Sequence, residues 1–327
     1  MKPPHAILIV QTAFIGDVIL ATALVESLHA KFPSSSIDFL LRKGNEELLT
    51  GHPCLRHVLV FDKRRKYRNL FLLIKKIRAT RYDVVINVQR FATTGIMTVL
   101  SGAKRTIGFD KNPLSFLFSV RVPHVIGEQH EVLRNHQLIE AMAGKDWCKP
   151  RLYPSAANFE KISEFSRRPY ITVSPASIWF TKQFPPEKWI AFLSATPAPF
   201  QIFFLGAKSD YDLCAQISAG IRERSTNLAG ELSMLESAAL MRDAAMNYVN
   251  DSAPMHLASS MNAPVAAIYC STIPSFGFGP LSDKSFVIET PENLACRPCG
   301  LHGQRACPQG HFKCALTIEK EQLLAVL

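Results

Sequence analysis

An α/β fold in two successive halves is what the sequence predicts, and three observations carry it. Short β-branched apolar runs recur along the chain, the mark of strands buried on both faces. Each run is followed by a turn and then by apolar residues three and four apart, the pattern of a helix packed on a sheet. A proline-bearing connection, residues 149–155, divides the 327 residues into two similar series. Two Rossmann-like domains facing a central cleft are the architecture expected, with domains at 1–150 and 156–290 and a Cys-rich tail with a C-terminal helix at 291–327.

The opening unit is the clearest. Ile7, Leu8, Ile9 and Val10 suit a buried strand, residues 11–16 form a turn ending in Gly16, and residues 17–31 read as a helix. Val18, Ala21, Val25 and Leu28 have helical spacing, and Pro33 stops the run. Asp17 stands in the first turn, at the carboxyl end of the strand, where open α/β sheets bind their ligands. As a cap it complements the free N–H groups and the helix dipole; as a general base it takes a proton at the mouth of a site. Further strands are expected at 37–41, 58–61, 83–88 and 105–108, with a basic helix before the third of these. The 83–88 run delivers Gln89, Arg90, Thr93, Thr94 and Gly95 to the same edge as Asp17. Residues 111–123 read as irregular and 130–143 as a helix. In the second half strands are expected at 170–173, 201–205, 247–249 and 265–269. Helices are expected after Pro185-Pro186, at 208–219, at 235–242 and from Pro254.

The composition, 47% hydrophobic and 20% charged, supplies an ordinary core. No run of about 18 uncharged apolar residues exists, so no spanning helix is expected. Lys2, the apolar run and Ala21-Thr22-Ala23 imitate a secretory leader, but Gln11 and Asp17 interrupt it and cleavage would delete the first strand. A cytoplasmic protein is expected. The net charge is +10, and nine Lys or Arg with no acid lie between Lys63 and Arg81, leaving 28 basic against 27 acidic residues elsewhere. A phosphorylated substrate, an anionic membrane face or a nucleic acid would each suit that segment, and so would mere solvation of a helix face. Nucleic acid fits least, because the segment has only Tyr67 and Phe71 as aromatics and no known nucleic-acid motif occurs.

Of eight cysteines, Cys54, Cys148, Cys214 and Cys270 are scattered, while Cys296, Cys299, Cys307 and Cys314 crowd the tail, with His302 and His311 as spare ligands. A structural zinc, disulfides and unlinked thiols all remain open. Zinc suits the CxxC spacing, and disulfides suit a cytosolic protein poorly.

Neither half carries G-x-G-x-x-G or a Walker loop, so ordinary dinucleotide or P-loop chemistry is not signalled. The second half nonetheless offers anion sites. Asp251, Ser252, Ala253, Pro254, Met255 and His256 lie between a strand end and a helix start, where N–H groups and the dipole favour a diphosphate. Capping by Asp251 or Ser252 and a core role for His256 are the plainer readings. Ser174 and Ser177 lie on a loop of small residues leading to Lys182, a cation able to neutralise a departing diphosphate. Ser209 or Asp210, after the next strand, is placed to hydrogen-bond a ribose.

Together these pieces resemble glycosyltransferase family 9, the ADP-heptose:lipopolysaccharide heptosyltransferases. The resemblance lies in I-L-I-V-x(5)-G-D-V, D-V-V-I-N-V-Q-R, R-T-I-G-F, S-P-A-S followed by T-K-Q-F-P-P-E-K-W, F-L-G-A-K-S-D, L-A-G-E-L-S-M-L-E-S-A-A-L-M and V-N-D-S-A-P-M-H-L-A, in family order over nearly the whole chain. It implies a GT-B architecture, an ADP-sugar donor in the second domain and an acidic lipid-linked oligosaccharide acceptor in the first. It further implies Asp17 as base, Lys182 at the donor phosphates, residues 251–255 around the diphosphate and sugar, and Asp210 near the ribose. Lys63, Arg64, Lys66, Arg90 and Lys111 then face the acceptor. Ala176 and Ala253 depart from the family's glycines.

The expected reaction is an inverting transfer without a catalytic cofactor, the departing diphosphate being stabilised by Lys182 and the helix start near Ser252, at the cytoplasmic face of the inner membrane. An epimerase or hydrolase on the same fold would consume the donor without an acceptor. A nucleic-acid-binding protein using residues 63–81 is the rival of another class, although no nucleic acid is expected as partner.

Overall fold

The computed structural model describes residues 3–127, 129–221 and 224–327; Lys2, the charge of the leader-like segment, lies outside them. The chain forms two compact units, Met1–Tyr153 and Pro154–Leu327, whose boundary falls inside the proline-bearing connection.

The first unit runs β1 (Ala6–Val10), α1 (Ile15–Lys31), β2 (Ser36–Arg42), β3 (His57–Phe61), α2 (Lys66–Thr80), β4 (Val84–Asn87), α3 (Ala92–Val99), β5 (Arg105–Phe109), β6 (Val120–Val122), α4 (Glu131–His136) and α5 (Glu140–Ala143). Its six strands are parallel, in the order β3-β2-β1-β4-β5-β6. β1 and β4 are buried at every residue, as continuous apolar runs in a two-sided sheet must be. Leu8, Val10, Leu40 and Val85 form one core with Leu70, Leu73 and Ile77 of α2. Strand order reverses between β1 and β4, so the loops after these two strands border the crevice where such sheets bind ligands.

The second unit repeats this plan with α6 (Ala156–Ile162), β7 (Tyr170–Ser174), α7 (Pro186–Ala195), β8 (Gln201–Phe204), α8 (Tyr211–Ile221), β9 (Ser225–Asn227), α9 (Met234–Arg242), β10 (Met246–Asn250), α10 (Ala253–Ser260), β11 (Val265–Tyr269), β12 (Ser285–Glu289), α11 (Lys313–Leu316) and α12 (Lys320–Leu324). The order β12-β11-β10-β7-β8-β9 is the same topology, with its reversal between β7 and β10. The core contains Phe184, Trp189, Phe192 and Tyr248.

Several elements differ from expectation. α1 begins at Ile15, not Asp17, so Gly16 lies within its first turn. The expected helix at 130–143 is two short helices, because Leu138 and Ile139 make i→i−3 bonds and the His136 ring bonds the Gly144 carbonyl at 2.8 Å. The segment expected to be irregular contains β6, a three-residue edge strand too short to leave a pattern. Edge strands β9 and β12 were likewise not expected; β9 is Ser-Thr-Asn and only partly covered. The helix expected from Lys208 starts with a 3₁₀ turn at Lys208–Asp210.

The tail is not a separate appendage. Cys314, Ala315, Ile318 and Leu323 belong to the second core, and the Tyr248 hydroxyl donates to the Leu323 carbonyl at 2.9 Å. Its expected single helix is two short ones, α11 and α12. Among the described residues, no helix is long and apolar enough to cross a membrane.

Candidate active site

In the first unit the crevice between β1 and β4 is lined by charge. Asp17, third residue of α1, accepts the Phe14 N–H through Oδ2 at 3.2 Å. The capping role is thus realised, an acid reaching back to the residue that starts the helix. Burial raises the Asp17 pKa above its ordinary value, opposed by the N–H groups of Phe14 and Asp17 and by the charges of Arg90 and Arg42. Such a carboxylate is a stronger base than an exposed one. Accepting these N–H groups still leaves lone pairs of the carboxylate free to accept a proton.

Its neighbours come from separate strand ends. Arg90 follows β4, and Arg42 ends β2, its guanidinium 4.9 Å above the exposed Phe14 ring. Phe14 and Phe91, both exposed, start the helices that follow β1 and β4. Gln11 and Gln89 share a side-chain hydrogen bond across the same two strand ends. Asn112 Nδ2 holds the Gln89 and Phe91 carbonyls at 3.0 and 3.1 Å. A Cβ on Gly95 would strike the Asn112 side chain, which is why glycine sits there. In α4, burial also raises the pKa of Glu131; Arg134 opposes the rise, the Asp17 charge adds to it, and Arg90 opposes it. Glu131 is ion-paired with Arg134. Sequence reading missed Phe14, Arg42, Phe91, Glu131 and Arg134. Only their positions just after strand ends or at helix starts could have signalled them.

The basic residues sit along one edge of this sheet. Lys63, Arg64 and Lys66 are exposed in the segment after β3, Arg90 after β4 and Lys111 after β5. Arg64 is partly engaged by Asp62 at 3.3 Å, which also holds Lys43 at 3.1 Å. The Asn69 amide fixes the loop by donating to the Asp62 and Arg64 carbonyls at 3.0 and 2.5 Å. α2 turns Leu70, Leu73 and Ile77 inward, yet Tyr67, Phe71 and Leu72 are 81, 70 and 51% exposed among Arg68, Lys75 and Lys76.

In the second unit the loops after β7 and β10 meet through an ion pair. Lys182 Nζ lies 2.7 Å from Asp251 Oδ2, both largely buried. The same oxygen accepts the Thr272 hydroxyl at 2.6 Å. Asp251 thereby engages one of the three N–H donors of Lys182. Asp251 is not a helix cap. Ser252 occupies the cap position of α10, but its side chain makes no capping bond; its hydroxyl lies 3.4 Å from the Asn250 carbonyl and 3.5 Å from that of Ala176. With Pro254 in the first turn, the start of α10 presents its N–H groups and dipole without a side-chain acceptor of its own. A helix N-terminus thus lies beside a lysine held in place, an arrangement able to receive an anion.

The remaining candidates take varied places. Ser174 ends β7, fully buried. Ser177 lies farther along, its carbonyl accepting Gln183 Nε2 at 2.6 Å. Buried Asn250 binds the whole loop, accepting the Phe184 N–H at 3.1 Å and donating to the Pro175 carbonyl at 2.6 Å. Met255 is buried with its sulfur 3.3 Å from the Tyr269 hydroxyl, and His256 is buried one position later. Asp210 closes its own turn, accepting the Ala207 N–H at 2.8 Å. Neither Ala176 nor Ala253 is among the residues with positive φ, so alanine costs no backbone strain at either place. Thr272 was missed, and Asn250 was read only as part of the strand-end turn, because their roles depend on contacts across strands.

Thiols figure in two further clusters. Cys296, Cys299, Cys307 and Cys314 line one cavity of about 200 Å³ with His311, whose Nε2 is 3.8 Å from Cys296 Sγ. Burial raises the pKa of Cys299 and pushes that of Cys314 up to about 11, and in each case neighbouring thiols add to the rise. Among the described residues, the only set of three ligand groups within 4.8 Å of one another is elsewhere: Glu26, His52 and Cys54. There His52 Nδ1 accepts the Cys54 N–H at 3.3 Å, which puts the neutral ring's proton on Nε2, facing Glu26. Burial lowers the His52 pKa to about 4, so the ring is neutral. The Tyr153 hydroxyl bonds both Glu26 oxygens at 3.1 Å, and the cluster anchors the end of the unit rather than offering a free imidazole lone pair.

Comparison with known proteins bears on both units. A family model described as glycosyltransferase family 9 (heptosyltransferase) matches residues 70–306. Lipopolysaccharide heptosyltransferase 3 of Escherichia coli is 24% identical over 277 residues, covering 79% of this chain and 82% of that protein. Among solved structures, the ADP-heptose lipopolysaccharide heptosyltransferase II of E. coli superposes with a TM-score of 0.81 at 21% identity, covering 98% of this chain and 97% of that one. A glycosyl transferase family 9 protein of Veillonella parvula gives 0.86 at 18% identity, covering 100% and 97%.

Proposed function

The chain belongs to glycosyltransferase family 9, and from that premise we propose that it transfers a heptose from an ADP-heptose donor to an acidic lipopolysaccharide inner-core acceptor. The observation that carries this reading is the Lys182–Asp251 pair beside the uncapped start of α10. A diphosphate satisfies that site twice, with the helix N–H groups taking one phosphate and the free N–H donors of Lys182 the other. Ser174, Ser177, Asp251, Ser252, Ala253, Pro254, Met255 and His256 surround the donor in this reading, and Asp210 lies toward its ribose. The relatives' names support the donor and the acceptor class.

Asp17 removes the proton from an acceptor hydroxyl as that oxygen attacks the anomeric carbon. ADP departs from the opposite face and the configuration inverts. A leaving diphosphate needs charge stabilisation more than protonation, so one carboxylate suffices. Arg42 and Arg90 keep Asp17 ionised and attract the acceptor's acidic groups, with Lys63, Arg64, Lys66 and Lys111 extending the basic edge. The reaction as written requires no cofactor. Asp17→Asn is expected to reduce turnover roughly 10²–10⁴-fold with the fold intact. In the native enzyme the rate falls as pH drops through an apparent pKa above the ordinary 3.8, since the base must be ionised and burial raises its pKa. Near-normal turnover in the variant, or an acidic limb that survives in it, would contradict the assignment.

We propose further that α2 rests on the anionic cytoplasmic face of the inner membrane, with Tyr67, Phe71 and Leu72 entering the interface between cations. Phosphatidylglycerol vesicles should sediment the protein and phosphatidylcholine vesicles should not. Tyr67→Ser with Phe71→Ser, which leaves every charge in place, should weaken capture about tenfold. Equal capture by neutral vesicles, or no change in the double variant, would rule this face out.

The tail cavity is proposed to take a structural zinc. Its four thiols and His311 are suitable donors in kind and number. Protein purified without chelator should contain about one zinc per chain. Content below about a tenth of that would leave the cysteines as free thiols.

A further inference from the structure

The tail residues between the cysteines reach the Lys182–Asp251 pair from both sides. On the lysine side, the Thr181 N–H donates to the Gln304 carbonyl at 3.1 Å, and the Gln304 N–H returns to Thr181 Oγ1 at 2.7 Å. Ser271 donates to the same hydroxyl at 2.9 Å, while the Ser271 carbonyl accepts the Cys299 N–H at 2.8 Å. Gly303, at φ +77°, packs on the lysine stem itself. A Cβ there would lie 2.9 Å from Lys182 Cγ and 3.0 Å from Thr181 Oγ1. On the aspartate side, Arg297 gathers the carbonyls at the end of β11. Its Nε bonds Cys270 at 2.8 Å, and Nη2 bonds Tyr269 at 3.1 Å and Thr272 at 2.8 Å. Glu289 anchors the guanidinium at 2.6 Å. Thr272 is the residue whose hydroxyl holds Asp251.

We propose that the segment from Arg297 to Gln304 is a positioning element for the anion site: Gly303 and Gln304 set where Lys182 lies, and Arg297 fixes the strand end that orients Asp251 through Thr272. The proposal deepens the donor reading and rests on it for the identity of the ligand. A lysine stem is flexible, so where its ammonium sits depends on what walls the stem in. A glycine wall permits the closest approach, and a single methyl group displaces the chain.

The experiment compares Gly303→Ala with Gly300→Ala in the full chain. Gly300 has φ +75°, and a Cβ added to it would meet nothing within 4 Å, so both variants carry the same backbone strain and only one reaches the lysine. ADP affinity is measured by calorimetry, and the reactivity of the Lys182 amine by reductive methylation of the ligand-free protein with peptide mass spectrometry. Gly303→Ala should bind ADP about tenfold more weakly than Gly300→Ala, the loss of one charge-assisted hydrogen bond, at a similar melting temperature. Its Lys182 should be methylated several-fold faster. Equal ADP affinity and equal labelling in the two variants would overturn the proposal. If the native protein does not bind ADP, the donor reading fails, and the labelling comparison alone decides the positioning claim. If Gly303→Ala does not fold, Thr181→Val decides instead, because it removes the hydroxyl that accepts the Gln304 N–H without adding bulk; unchanged labelling there would overturn the proposal.

Discussion

An ammonium and a carboxylate held largely out of water, Lys182 against Asp251, constrain the whole second unit. Two charges in such a place cost more in desolvation than a bare contact returns, and the pair persists only if its surroundings complete it. Thr272 supplies a hydrogen bond to the carboxylate, and the start of α10 supplies a positive dipole that a bound anion would complete. The topology puts these parts together. β7 and β10 are neighbours at the reversal of strand order, so the loop bearing Lys182 and the turn bearing Asp251 emerge side by side. Asn250 then ties one to the other through the Phe184 N–H and the Pro175 carbonyl.

The first unit applies the same topology to a different end. Its reversal lies between β1 and β4, and Asp17 and Arg90 follow those strands. Where the second unit offers N–H groups and a paired lysine, the first offers a half-buried carboxylate near two arginines, with exposed phenylalanines at the helix starts. Asp17 is both a cap and a base candidate, and the roles do not compete. The cap holds the carboxylate at a fixed angle, and burial makes it more basic.

Much of this was legible in the sequence. Buried central strands are continuous apolar runs, so β1, β4, β7 and β11 could be read directly, and the residues at their ends followed. Edge strands β6, β9 and β12 lie at or near the sheet margins, where one-sided burial leaves no such run. Asp251 was found, but as a cap or ligand contact rather than the residue that holds Lys182, because only the fold brings positions 182, 251 and 272 together. The tail was harder still. Its cysteine spacing left zinc, disulfides and unlinked thiols open, and nothing local revealed that Leu323 completes a core or that Gly303 lies against a lysine 121 positions away.

The diphosphate claim is tested most directly by titrating the native protein with ADP and with AMP by calorimetry. The two share base and ribose, and only ADP carries a pair of phosphates for Lys182 and the start of α10 to divide between them. The account predicts that ADP binds at least about tenfold more tightly than AMP. Equal affinities, or no binding of ADP, would contradict it.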